Sequence, residues 1–107
     1  MANIDEVLQE IVRRITEVIK PDKIILFGSQ ARGDAGPDSD VDLLIIAPSS
    51  EPRLHRARAV LRALRGIGVP KDVVWYTQDE VDEWRNVRSH FVNRALREGR
   101  LIYESPS

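Results

Sequence analysis

Residues 23–47 read KIILFGSQARGDAGPDSDVDLLIIA. An aliphatic run ends at Gly28, a polar stretch follows, and a second aliphatic run opens with aspartates at 40 and 42. Lys23–Phe27, bounded by Pro21-Asp22 and Gly28, predicts a buried strand. Asp40–Ala47, stopped by Pro48-Ser49-Ser50, predicts a second one. Between them Gly33–Ser39 carries two glycines and a proline and reads as a loop. Side chains two apart on a strand leave the same face, so the carboxylates of Asp40 and Asp42 emerge together, their Cα atoms about 7 Å apart. Unpaired burial of such like charges costs several kcal/mol each.

Two readings meet that difficulty. In the plainer one, Asp40 caps a turn and Asp42 faces solvent. In the other, a pair of Mg²⁺ ions, hard cations that prefer carboxylate oxygen, holds both. The preceding turn favours the second. Gly28-Ser29 follows a strand directly and opens into Gln30-Ala31-Arg32, which are helix formers. A glycine-led strand-to-helix turn lets backbone approach closely and aims N–H groups at an anion. Ser29 adds a hydroxyl, and Arg32 a guanidinium suited to phosphate. Phosphate turn and carboxylate pair together make a metal–triphosphate site.

Outward from this centre, Ile4, Val7, Leu8, Ile11, Val12, Ile15, Val18 and Ile19 recur at helical spacing. Asn3 with Glu6 would cap that helix, and Lys20-Pro21 would stop it. Arg53–Arg65 reads as helix with Leu54, Ala57, Leu61 and Leu64 inward and its arginines, including Arg56, on a solvated face. Lys71–Thr77 predicts a third strand, with Asp72, Val74 and Tyr76 on one face and Val73 and Trp75 on the other. That face would bring Tyr76 near the site. Thr77 and Glu80 make a capping-box signature for a last helical region, which Asn86–Ser89 would break in two. Trp75, Trp84 and Phe91 read as core, and His55 and His90 as surface. Gly99 ends the last helix, and Leu101–Tyr103 would add an edge strand. The order predicts an α/β (α+β) fold: a small mixed sheet with helices packed on it, in a single domain over residues 1–107.

The composition is that of a soluble globular chain: 42% hydrophobic, 31% charged, formal net charge −1. That balance gives no global pull towards nucleic acid or anionic membrane, so anion binding must be local. With no cysteine, disulfides and thiolate metal sites are excluded and a reducing, cytoplasmic setting is expected. No apolar run approaches the roughly 18 residues of a membrane span. Asp5 and Glu6 at the start do not suit a signal peptide.

Gly28-Ser29, ten intervening residues and Asp40-Val41-Asp42 resemble the signature of the DNA polymerase β-like nucleotidyltransferase superfamily. The fuller strings Gly28–Gly33 and Ser39–Leu43 are similar to the minimal nucleotidyltransferase branch, and the likeness runs nearly end to end. The resemblance implies a third carboxylate on a later strand, for which Asp72 is placed; Asp79, Asp82 and Glu83 fall on the capped helix and suit it less. It implies catalytic and metal roles for Asp40, Asp42 and Asp72, nucleotide binding by Gly28, Ser29, Arg32 and Ser39, and two Mg²⁺ ions. It further implies AMP transfer from ATP, or another NTP, to a hydroxyl of a HEPN-domain toxin, the chain being its antitoxin. The rival is a non-catalytic partner-binding antitoxin module that keeps the fold. A homo-oligomer is a further partner state, and the arginine helix gives no strong nucleic-acid signal. Gly33–Ser39 and Pro48–Pro52 are expected as the free loops beside a site too shallow for a small acceptor.

Overall fold

A computed structural model describes residues 4–33 and 40–106 of the chain. The Asn3 cap and most of the Gly33–Ser39 loop, Ser39 included, lie outside the described residues. In chain order the elements are α1 (Ile4–Val18), β1 (Lys23–Phe27), α2 (Ser29–Arg32), β2 (Val41–Ile46), α3 (Arg53–Ala63), β3 (Lys71–Tyr76), α4 (Gln78–Trp84), α5 (Phe91–Glu98) and β4 (Arg100–Glu104). The strands form one mixed sheet in the order β3-β2-β1-β4. β1 runs antiparallel to β2 and β4, while β2 and β3 are parallel, with α3 as the crossover between them.

Strand alternation builds two cores. Ile24 and Leu26 of β1, Val41, Leu43 and Ile45 of β2, and Val73 and Trp75 of β3 point towards Ile11 and Ile15 of α1 and Val60 of α3. The opposite set, Ile25, Leu44, Ile46 and Tyr76, meets Val81 of α4 and Val92 and Ala95 of α5. Burial on both faces explains why the central strands are continuous aliphatic runs rather than alternating ones.

The helix termini follow their sequence signals in the second half. Thr77 and Glu80 form a complete capping box on α4. The expected break falls at Arg85–His90, where Val87 N–H donates to Trp84 C=O and His90 N–H to Val87 C=O. His90 is not a bystander. Its Nδ1 accepts from Val92 N–H to cap α5, and its ring stacks on Trp84 with centroids 4.4 Å apart. Gly99 then lets α5 turn into β4, because a Cβ there would strike Ala95 C=O and the Ile25 side chain.

The expected inward face of α3 needs correction. Leu54 is 87% exposed and Leu61 44%, while Arg56 is buried beside Val60 and Leu64. Arg56 is held there by Glu80 at 2.5 Å and by the carbonyl of Glu51 at 2.8 Å. A buried guanidinium is tolerated when its donors are met in this way.

Candidate active site

Strand register assembles the centre. Phe27 pairs with Asp42, and Asp42 pairs with Asp72, so one rung crosses β1, β2 and β3. Neighbouring strands lie about 4.8 Å apart, which puts Asp42 and Asp72 side by side on the face that carries α4 and α5. Asp40 is exposed just ahead of β2, two residues from Asp42 and so on the same side by alternation. Of the three, Asp42 is the half-buried one and Asp72 is exposed. Burial pushes the Asp42 carboxyl above its ordinary value; the charges of Asp72 and then Asp40 push the same way, and Arg32 opposes them. Asp40, Asp72 and Arg32 are thus each within electrostatic reach of Asp42.

Gly28 supplies the other wall. It sits between β1 and α2 at φ 74°, ψ −158°, a region open only to glycine. Its lack of a side chain is also needed for space: an added Cβ would lie on the carboxylate oxygen of Asp42, with Asp42 Cγ at 3.3 Å. Glycine is there so that the turn can close on the aspartate. Ser29 opens α2, whose short turn is tied by Ala31 and Arg32 N–H groups donating to Gly28 C=O, both at 3.1 Å. Ser39 lies outside the described residues.

A cleft of about 240 Å³ flanks this turn, lined by Phe27, Gly28, Arg32, Phe91, Arg94 and Glu98. Sequence reasoning missed Arg94 and Glu98. Their four-residue spacing on α5 puts them on one side, but nothing in that spacing says which element they face. Phe91, expected as core, packs on Phe27 with centroids 5.9 Å apart and is also a wall of the cleft.

Two expectations about surroundings are corrected. Tyr76 shares the Asp72 face but lies four residues further along β3, about 13 Å away. There it packs edge-to-face against Phe91 and accepts a 3.0 Å hydrogen bond from Arg53. Pro48–Pro52 follows the far end of β2, opposite the carboxylates; the loop at the carboxylate end is 66–70, whose Pro70 C=O accepts from Val41 N–H at 2.9 Å. Among the described residues no group of three or more His, Cys, Asp or Glu is gathered into a metal cage. No helix among them is long and apolar enough to cross a membrane.

Residues 4–103 match the family described as nucleotidyltransferase domain, and the chain belongs to that family. A provisionally named protein adenylyltransferase of Methanocaldococcus jannaschii is 33% identical over 71 residues, covering 64% of this chain and 71% of that protein. Nucleotidyl transfer is accordingly the chain's enzyme class. The fold is also that of a provisionally named nucleotidyltransferase of Sulfolobus solfataricus, with TM-score 0.66, 24% identity, and coverage of 92% of this chain and 78% of that one. It is likewise that of a toxin–antitoxin crystallised with AMP-PNP, with TM-score 0.65, 18% identity and 92% and 74% coverage. A variant of the toxin–antitoxin MntA-HpeT matches with TM-score 0.56, 17% identity and 99% and 76% coverage.

Proposed function

We propose that the chain is a single-domain, Mg²⁺-dependent protein adenylyltransferase of the cytoplasm, moving AMP from ATP onto a tyrosine hydroxyl of a HEPN-type toxin and so acting as its antitoxin. The observation that carries this reading is the Asp42–Asp72 rung closed against Gly28. It puts a carboxylate pair and a phosphate-type turn at one end of one sheet. AMP and a protein acceptor are supported by the adenylyltransferase name of the relative and by the AMP-PNP in the toxin–antitoxin neighbour. A toxin partner is supported by two neighbours that are toxin–antitoxin structures. The HEPN identity comes from the family resemblance.

Asp40, Asp42 and Asp72 are the residues that would hold two divalent ions. Their hard oxygens suit Mg²⁺, and the repulsion that raises Asp42 is what a cation relieves. When bound, such ions make the acceptor oxygen a better nucleophile and neutralise the departing pyrophosphate. Gly28 backbone and the Ser29 hydroxyl hold the β- and γ-phosphates, Arg32 assists them or braces the loop, and the family resemblance adds Ser39 as a further nucleotide-binding residue. The acceptor oxygen forms a bond to the α-phosphorus as the bond to the bridging oxygen breaks. The hydroxyl proton leaves to water or a carboxylate, and pyrophosphate departs. Positioning and charge neutralisation supply most of the rate.

The test is the kinetics of pyrophosphate release in two variants. Ser29→Ala removes a donor that contacts substrate before and during reaction, so KM for ATP rises about tenfold or more, the worth of one charge-assisted hydrogen bond. Asp72→Asn acts on the acceptor side and lowers kcat by about 100-fold or more. Purely KM-type losses in both variants would contradict this division of roles.

A further inference from the structure

Leu54, Arg58, Leu61 and Arg65 are spaced four, three and four apart, so they form one stripe along α3 and its first following turn. The stripe faces away from the sheet, which α3 meets through Arg56, Val60 and Leu64. Arg62 borders it. Leu54 is 87% exposed amid arginines, at a position that helical spacing would otherwise send inward. Leu61, 44% exposed, repeats it two turns on.

We propose that this outer face of α3 docks a partner protein through an acidic surface on which apolar side chains alternate with carboxylates. The proposal rests on the reading that a protein receives AMP, and it names the surface that holds that protein. Leucine flanked by arginine is the composition of an interface core and its charged surround, where arginine is enriched and charge complementarity sets the partner. The face carries Arg58, Arg62 and Arg65 in a chain whose net charge is −1, so its positive charge is local. A second copy of the chain is disfavoured as occupant, because a two-fold interface through the stripe would gather the arginines of both copies and draw no carboxylate from the stripe. RNA is disfavoured because two exposed leucines offer phosphates nothing, and no aromatic ring stands in the stripe for base stacking. An acidic protein surface answers both parts of the pattern.

The placement separates holding from chemistry. α3 lies on the sheet face opposite Asp42 and Asp72, but Arg65 ends the stripe where loop 66–70 leads into β3 and Asp72. A partner gripping α3 therefore reaches the carboxylates around that end.

The experiment uses the purified product of the adjacent gene as probe, titrated into this protein by calorimetry at two salt concentrations. Wild type binds, with affinity falling as salt rises. Leu54→Glu and Arg58→Glu each weaken the complex at least tenfold while melting like wild type and binding ATP–Mg²⁺ equally well. Asp42→Asn binds the partner as wild type does. If the two α3 variants bind as tightly as wild type, the docking face is overturned while AMP transfer stands. If wild type forms no complex, the docking face and the protein acceptor fall together. Mixed-sequence RNA binding tightly through these residues, in place of the protein, would also overturn the proposal.

Discussion

At Gly28 two constraints act on one atom that is missing. The φ of 74° with ψ −158° admits only glycine, and the space where a Cβ would stand is taken by the Asp42 carboxylate. Gly28→Ala should therefore cost about 1–3 kcal/mol of stability. It should also displace Asp42 and abolish transfer; denaturant unfolding and a pyrophosphate-release assay check both outcomes. Asp42 itself gives a prediction of opposite sign. Its folded-state pKa is raised, chiefly by burial and then by Asp72 and Asp40, so ionising it opposes folding. That penalty is absent at low pH and grows as pH rises past the unfolded carboxylate value of about 3.9. In metal-free buffer Asp42→Asn should thus melt above wild type at pH 7, and the gap should close towards pH 4. Adding Mg²⁺ should raise the melting temperature of wild type and not of the variant. A variant less stable than wild type at pH 7 without metal would contradict this electrostatic account.

At the scale of elements, the Arg56–Glu80 pair ties α3 to α4 around the end of the sheet. Glu80 accepts from Arg56 at 2.5 Å and from Thr77 N–H at 2.8 Å, joining the crossover helix to the capping box. Hydrogen bonding to Arg56 leads the causes that hold its carboxyl down at about 2. The stabilisation is present above the ordinary carboxylate value and is lost as pH falls towards 2. Glu80→Gln should cost about 1.5–3 kcal/mol at pH 7, because Arg56 then lacks its anion, and the cost should vanish in acid unfolding curves. The same pair shows where sequence legibility stopped. β1, β2 and the capping box of α4 were readable because their signals are local: aliphatic runs, Gly28, and Thr77 with Glu80. The buried face of α3 was not. Periodicity sends leucines inward, and only a partner 24 residues away in sequence makes Arg56 buriable. The placing of Pro48–Pro52 beside the carboxylates failed for a related reason. Strand direction follows from the parallel β2–β3 pairing, which no periodicity encodes.

Across the whole molecule, one sheet supplies the centre. β1 ends where β2 and β3 begin, so Gly28, Asp42 and Asp72 meet at a single end although they span residues 28 to 72. The motif Gly28-Ser29 with Asp40 and Asp42 was legible as a unit because its spacing is short. Asp72 could be nominated from its place at a strand start, and the register aligns it with Asp42. Arg94 and Glu98 could not be nominated, since the packing of α5 over β1 is tertiary. A cleft of about 240 Å³ open beside this end is small for burying both a nucleotide and an acceptor, which favours an acceptor brought on another protein. The most direct measurement is the intact mass of the adjacent gene's product after incubation with this protein, ATP and Mg²⁺. The account predicts a gain of AMP on a tyrosine with wild type and none with Asp42→Asn. An unmodified partner, alongside efficient transfer to a free small alcohol such as an aminoglycoside, would contradict it.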